Sequence, residues 1–328
     1  MSYLFFLIVG IAGLYFGSGY VVDSAKVLAE KLNISQTLIG LTVISIGTSI
    51  PEIMTNLFSG LKVKAGANAA GIAIGTNLGS DITQITFILG FTALFGTMYA
   101  TKKLLRRDGL MVLLSIILVF IVGFTGSNVS YSGGVLLLII YFVYLYYVSK
   151  DEKFISKVMG QINNKDEKQD KYYFDDIILM ILGIAILIFA SHLVVDSALK
   201  LSELWGVAQS FIGVMIIGVG TALPELSTAI RAIFKKAGNI SIGTLIGSNI
   251  TDPMLSLPIG AIAAGSIGLN FDKNLLFFDI PFWFIVSMIA LLLFRKDMKI
   301  GKEKKIEGLL LIGLYILFVF IKFRFFLH

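Results

Sequence analysis

Glu52 and Glu225 each stand inside a long apolar stretch, and each closes the same kind of motif. The first is Gly-Thr-Ser-Ile-Pro-Glu at 47–52 and the second Gly-Thr-Ala-Leu-Pro-Glu at 220–225. A charge at the centre of a bilayer costs about 2.5–3.5 kcal/mol on insertion scales, so it persists there for a partner or a function. Pairing with a basic residue is the bland explanation. No lysine or arginine falls near the middle of any apolar stretch, so two equivalent glutamates call for a cation instead. Pro51 and Pro224 each remove a helical hydrogen bond and release the carbonyls of Gly47 and Gly220, glycines that weaken the helix further. Freed carbonyls inside a membrane are tolerated only where a cavity or an ion satisfies them. Thr48 and Glu52, spaced i, i+4, share one helical face, as do Thr221 and Glu225. Carboxylate, hydroxyl and carbonyl together make an all-oxygen site.

A second pair of motifs supplies the opposite wall: Gly-Ser-Asp-Ile-Thr-Gln at 79–84 and Gly-Ser-Asn-Ile-Thr-Asp at 247–252. Thr76, Ser80 and Gln84 share a face, and Thr244, Ser248 and Asp252 share its counterpart. Gly71, Gly75 and Gly79 form a small-residue stripe for close helix approach, as do Gly243 and Gly247. Taken singly, serine and threonine in such helices often only bond back to their own backbone. Their repetition beside carboxylates is what points to ions. Calcium takes 6–8 oxygens at about 2.3–2.6 Å in a flexible shell. Two glutamates neutralise it, and the hydroxyls, carbonyls and Asp252 remain for monovalent ions nearby. Transition metals are disfavoured, because the chain has no cysteine, two histidines (His192 and His328) and no sulfur or imidazole clustering at these positions.

The elements that must position these residues are membrane helices. The chain is 56% hydrophobic and 15% charged, where soluble chains carry about 25% charged residues. Apolar runs punctuated by charge predict ten spans, at 3–23, 36–60, 70–98, 109–124, 130–148, 174–198, 208–233, 240–267, 275–294 and 306–326. The polar stretch 149–173 reads as a solvated cytoplasmic linker between two sets of five, 1–148 and 174–328. The first span has no basic leader or small-residue cleavage site and is expected to be retained. Tyr20–Glu52 aligns without a gap to Leu193–Glu225, and Gly75–Gln84 to Gly243–Asp252, so the chain is internally repeated. Five is odd, so the second copy enters from the opposite side and the repeats are inverted.

Basic residues concentrate in alternate loops. Lys26, Lys31, Lys102, Lys103, Arg106, Arg107, Arg231, Lys235, Lys236, Arg295, Lys296, Lys299, Lys302, Lys304 and Lys305 join the linker on one side. Lys62, Lys64, Lys200, Lys273, Lys322 and Arg324 are left on the other. The positive-inside rule then puts both termini outside a cell membrane. The net charge of +6 is thus accounted for by membrane flanks touching anionic lipid rather than by nucleic acid.

With these residues in view, the paired motifs resemble the α-repeats of the sodium/calcium exchanger family across essentially the whole chain. The resemblance implies a ten-helix, N-out antiporter with no cofactor, carrying Ca2+ and Na+ as cargo. It implies that Glu52 and Glu225 bind calcium with the backbones of Thr48 and Thr221. It further implies sodium sites at Ser80 and Ser248 with the Ser45 and Gly218 carbonyls, sharing Thr48, Thr221 and both glutamates. Gln84 and Asp252 would occupy a central polar position, with Ser49, Asp81 and Asn249 as possible additions. The family moves its first and sixth helices across a fixed core, and Gly10, Gly13, Gly17 and Gly19 would ease such sliding. Three departures stand out: Ala222 where a serine is expected, Gln84 where asparagine is usual, and the additional carboxylate Asp81.

Other readings remain open at this point. Proton/calcium antiporters of the same superfamily share the fold but usually carry asparagine at the positions of Thr48 and Thr221 and amides in place of Asp252. The threonines and Asp252 point to sodium, and Gln84 points to protons. A potassium-dependent exchanger is a further member of this group. A channel usually builds its oxygen rings by subunit symmetry, whereas here the two-fold relation lies within one chain. An intramembrane aspartyl protease lacks its G-x-G-D signature. No P-loop is present, so the energy comes from ion gradients, and no enzyme activity is expected. The short linker leaves no regulatory domain and no obligate protein partner is evident.

Overall fold

The computed structural model describes residues 2–31, 45–95, 98–99, 104–159, 173–234, 238–295, 299–300 and 305–325. The chain is overwhelmingly helical. Helix α1 is Ser2–Lys31; α2 is Ser45–Thr48 followed, after Ser49, by Ile50–Lys64; α3 is Ala70–Thr83, a π-helical turn Gln84–Ile88, and Leu89–Phe95. Helix α4 begins with a π-helical turn Leu104–Asp108 and continues as Gly109–Gly126; α5 is Tyr131–Met159 and α6 is Tyr173–Trp205. Helix α7 comprises Gln209–Ile212, a π-helical turn Gly213–Ile217, Gly218–Thr221 and, after Ala222, Leu223–Phe234. Helix α8 comprises Gly238–Thr251, a π-helical turn Asp252–Ser256, and Leu257–Ala264. Helix α9 joins a π-helical turn Leu275–Asp279 to Ile280–Arg295, and α10 is Lys305–Phe325.

Among the described residues, eight helices are long and apolar enough to cross a membrane: all of these except α2 and α8. The expected start of the second span at 36 lies outside the described residues, as do Lys102, Lys103, Lys235, Lys236, Lys296, Lys302 and Lys304. Helices α1, α5 and α6 run past their expected ends. Their polar continuations hold good helix formers and no proline, so nothing stops the turn where the apolar run stops. The expected linker is therefore helical from 149 to 159, and its residues 160–172 lie outside the described set. Helix α6 ends at Gly206, whose φ of 63° is a left-handed stop that glycine adopts without strain.

Helices α3 and α10 differ sharply in environment: 78% of the α3 span is buried, against 22% for α10. Phe5, Phe16, Phe124, Tyr147, Phe189, Ile306 and Phe320 project outward from the peripheral helices, as a lipid-facing surface requires. Inside, glycines set the helix spacing. A Cβ on Gly79 would overlap the Val214 carbonyl, and one on Gly60 would overlap that of Gly260, so α3 meets α7 and α2 meets α8 at backbone contact. Gly10, Gly13 and Gly17 all pack against α6, through Val194, Ala190, Leu187 and Gly183, whereas Gly19 faces open space. These three fasten α1 to α6.

Two short antiparallel ribbons tie the connections together: Met98–Tyr99 (β1) with Lys299–Ile300 (β4), and Asn128–Val129 (β2) with Leu269–Asn270 (β3). Two buried aspartates close the π-helical turns that open α4 and α9. Asp108 accepts from Arg107 Nε at 2.7 Å and from the Tyr144 hydroxyl on α5 at 2.7 Å. Asp279 accepts from Lys322 Nζ on α10 at 2.9 Å, with both side chains fully enclosed. This corrects the placement of Lys322 among the solvated flanking cations: its stem and charge are drawn into the bundle by Asp279. Removing one member of a buried ion pair strands the other charge and costs about 3–5 kcal/mol. Lys322→Met is therefore expected to lower the midpoint of thermal unfolding in detergent markedly, and adding Asp279→Leu to recover much of the loss.

Candidate functional site

The helix breaks expected from proline fall at equivalent points, Ser49 in α2 and Ala222 in α7. Each break puts a glutamate in the first turn of the following segment, where the free amide groups favour a negative charge. Ser49 N–H bonds to the Ser45 carbonyl at 3.1 Å and Ala222 N–H to the Gly218 carbonyl at 3.2 Å. The Thr48 and Thr221 hydroxyls donate to the same two carbonyls at 3.2 and 3.3 Å.

Around the breaks the structure gathers the expected oxygens. Glu52 Oε1 accepts from Ser80 Oγ at 2.7 Å, and Glu225 Oε1 accepts from Ser248 Oγ at 3.3 Å. Ser248 also meets the Thr48 hydroxyl at 3.3 Å, which joins the two motifs across the molecule. Gln84 opens the π-helical turn of α3 and Asp252 that of α8, so the widened turn swings both side chains to the centre. Gln84 Nε2 donates to Ser80 Oγ at 2.9 Å and to Asp252 Oδ2 at 3.4 Å. Its Oε1 accepts from Asn249 Nδ2 at 3.0 Å, and Asn249 Oδ1 accepts from Trp283 Nε1 at 3.2 Å. Asp81 neighbours Asp252 and both glutamates. The Ser45 hydroxyl turns away, to Thr251 at 3.1 Å, and Thr251 meets the Tyr141 hydroxyl at 3.0 Å.

Four carboxylates, Glu52, Asp81, Glu225 and Asp252, are thus fully buried together. The ion pairs described involve none of them: Lys62 with Asp196, Arg107 with Asp108, Lys200 with Glu203 and Lys322 with Asp279. Glu52 Oε2, Glu225 Oε2, Asp252 Oδ1 and both Asp81 oxygens have no hydrogen-bond partner in the protein, nor have Ser49 Oγ, Thr76 Oγ1 and Thr244 Oγ1. A buried carboxylate without a partner is stable only when a cation or a proton neutralises it. An all-oxygen, net-negative cluster of this kind suits hard cations. A cavity of about 560 Å³ lies elsewhere, between α1, the end of α2 and α6, lined by Tyr3, Phe6, Lys62 and Asp196.

The sequence profile described as "Sodium/calcium exchanger protein" matches residues 2–150 and 176–324. The chain belongs to the sodium/calcium exchanger family. That family consists of membrane transporters, not enzymes. The chain is 31% identical over 313 residues to an uncharacterized membrane protein, MJ0091, of Methanocaldococcus jannaschii, covering 95% of each chain. It is 29% identical over 356 residues to the sodium/calcium exchanger MaX1 of Methanosarcina acetivorans, covering 97% of each. A solved structure of the sodium-calcium exchanger NCX_Mj, soaked with 2.5 mM Na+ and 10 mM Sr2+, superimposes with a TM-score of 0.64 at 29% identity, covering 97% of each chain.

Several polar residues beside the site were not anticipated from sequence. Asn56, one turn beyond Glu52, donates to the Glu52 carbonyl at 2.8 Å and to Ser256 Oγ at 3.0 Å, and accepts from Asn77 Nδ2 at 2.9 Å. The position aligned with Asn56 in the second copy is Ala229, so the repeat did not flag it; an amide four residues past an intramembrane glutamate was the available signal. Trp283 and Tyr141 carried no local signal at all. Asn56→Ala leaves Asn77 and Ser256 short of a buried partner, a loss of about 1–3 kcal/mol. A lowered unfolding midpoint in detergent is expected, with a smaller drop for the Asn77→Ala, Asn56→Ala pair than the sum of the single variants.

Proposed function

We propose that this chain is a secondary active antiporter that exchanges sodium for calcium across a cell membrane by alternating access. One observation carries the reading. Glu52 and Glu225 are buried at equivalent breaks, each with one oxygen held by an equivalent serine and the other oxygen without a protein partner. In this reading the two unpartnered oxygens, Glu52 Oε2 and Glu225 Oε2, are ligands of one shared divalent ion. The names of MaX1 and NCX_Mj, given to relatives that match along nearly the whole chain, support the same cargo.

In this reading Glu52, Glu225 and the backbones of Thr48 and Thr221 hold calcium. Sodium takes overlapping sites that add Ser80, Ser248 and the carbonyls of Ser45 and Gly218. Gln84 and Asp252 hold the centre. Calcium and sodium compete for the same carboxylates, so the loaded site carries one cargo or the other. Exchange of unequal charge would couple to voltage, at about 2.3 kcal/mol per elementary charge per 100 mV.

We also infer ten spans arranged as two inverted five-helix halves, 1–148 and 174–328, with both termini outside. Helices α2 and α8 complete the count. Supporting this, the π-helical turns at Gln84 and Asp252 occupy aligned positions, as do the breaks at Ser49 and Ala222. The two ribbons also interchange under a two-fold relation, since β1 corresponds to β3 and β2 to β4. The packing of Gly10, Gly13 and Gly17 on α6 favours α1 and α6 travelling as one unit over the core.

The experiment is calcium-45 uptake into proteoliposomes under an outward sodium gradient, compared with an outward proton gradient. Sodium-driven uptake is expected, with Glu52→Gln or Glu225→Gln reducing it to the level of protein-free vesicles. Uptake driven only by protons would keep the glutamates and overturn the sodium sites. Near-normal uptake in either glutamate variant would remove the site assignment.

A further inference from the structure

Trp283 lies fully buried on α9, and its indole nitrogen bonds to a side chain at the edge of the site. An indole N–H donates and never accepts. Asn249 Oδ1 therefore accepts from it at 3.2 Å, which leaves only the amide nitrogen of Asn249 for its other contacts. That nitrogen donates to the Leu245 carbonyl at 3.1 Å and to Gln84 Oε1 at 3.0 Å. The indole on one side and a backbone carbonyl on the other thus fix which way Asn249 points.

The direction is passed on. Gln84 accepts through Oε1, so its amide nitrogen faces inward and donates to Ser80 Oγ at 2.9 Å and to Asp252 Oδ2 at 3.4 Å. Ser80 Oγ, already accepting from Gln84, turns its own proton to Glu52 Oε1 at 2.7 Å. A donor on α9 is in this way relayed to carboxylates on α2 and α8 that it does not touch. Turning Gln84 over would set its oxygen against Asp252 Oδ2 and draw the Ser80 proton away from Glu52. A buried carboxylate that loses its donor is expensive to keep bare, and a proton is the cheapest replacement. The anchor belongs to one copy alone. Leu-Leu-Arg-Arg-Asp at 104–108 aligns with Leu-Leu-Phe-Phe-Asp at 275–279, and both form π-helical turns, which puts Val112 opposite Trp283. Val112 is also buried but has no donor to give.

We propose that Trp283 is a positioning residue for calcium binding: through Asn249 it holds Gln84 with its amide nitrogen toward Ser80, which keeps the Ser80 proton on Glu52 Oε1 and leaves Oε2 for the ion. Without the indole N–H, Asn249 Oδ1 is a buried acceptor with no partner, and an amide that turns to find one gives up its hold on Gln84. Glu52 then keeps a proton that calcium has to displace. The wiring stands on the hydrogen bonds alone, whereas its effect on transport rests on the exchanger reading.

The chain has two tryptophans, so Trp205→Phe, at the exposed end of α6, leaves Trp283 as the one indole. In that background the nitrogen-15 indole resonance is followed in full-length protein in nanodiscs, and calcium-45 uptake in proteoliposomes. Gln84→Leu, two links from the indole, is expected to move the resonance in ion-free protein. Trp283→Phe is expected to raise half-saturating calcium several-fold with the maximal rate little changed, a split that a packing defect alone would not produce. Replacing Trp283 by its benzothiophene analogue, which keeps the ring shape and exchanges N–H for sulfur, should give the same rise even where Trp283→Phe fails to fold. The proposal fails if the resonance ignores Gln84→Leu, or if the benzothiophene analogue leaves half-saturating calcium unchanged. Absence of calcium uptake by the unsubstituted chain under either gradient would remove the exchanger reading, while the response of the resonance to Gln84→Leu would still decide the wiring.

Discussion

Buried negative charge is the constraint on which this molecule is built. Glu52, Asp81, Glu225 and Asp252 lie together without solvent and without a described basic partner. Isolated ionised carboxylates in such surroundings are too costly to persist, so hydrogen-bond donors compensate part of the charge and a proton or a bound cation must supply the rest. The compensation is visible in detail: serine hydroxyls on one oxygen of each glutamate, an amide between Ser80 and Asp252, and helix starts beneath both glutamates. A site satisfied entirely by protein would have no reason to take an ion, and one satisfied by nothing would not fold.

The rest of the architecture follows from bringing these groups within a few ångströms of one another. Helices carrying large side chains at their contact faces stay 8–10 Å apart. Gly79 against Val214 and Gly60 against Gly260 let α3 approach α7 and α2 approach α8 at backbone distance. The prolines and π-helical turns then redirect individual side chains without ending the helices. Away from the centre the opposite strategy is used: Asp279 and Asp108 are neutralised by Lys322 and by Arg107 with Tyr144. These two buried carboxylates have a fixed basic partner, and the described ion pairs give none to the four at the centre.

Much of this was legible in the chain itself. The apolar runs, the repeated Pro-Glu motifs and the aligned Gly-Ser motifs are local patterns, and a local pattern survives whatever the packing does. The helix breaks at Ser49 and Ala222 fall between the glycine and the proline of each motif, and Ser80 meets Glu52 as Ser248 meets Glu225. The ends of α1, α5 and α6 did not, because hydropathy reports where a helix leaves lipid, not where its backbone stops turning. Lys322 was misplaced for a related reason: its position near a helix end suggested a solvated flank, and only Asp279 on another helix explains its burial.

By itself the sequence determined the class of protein, its internal repeat, and which carboxylates stand inside apolar stretches, because hydrophobic length, periodicity and self-similarity are properties of consecutive residues. The tertiary structure alone decided which polar groups meet. Asn56 finds Asn77 and Ser256, Asn249 bridges Gln84 to Trp283, and Asp81 faces Asp252 rather than a basic residue. Those contacts join positions separated by up to about half the chain or more, and nothing in either neighbourhood specifies the other. They are set by the depth to which glycine lets one helix settle against the next.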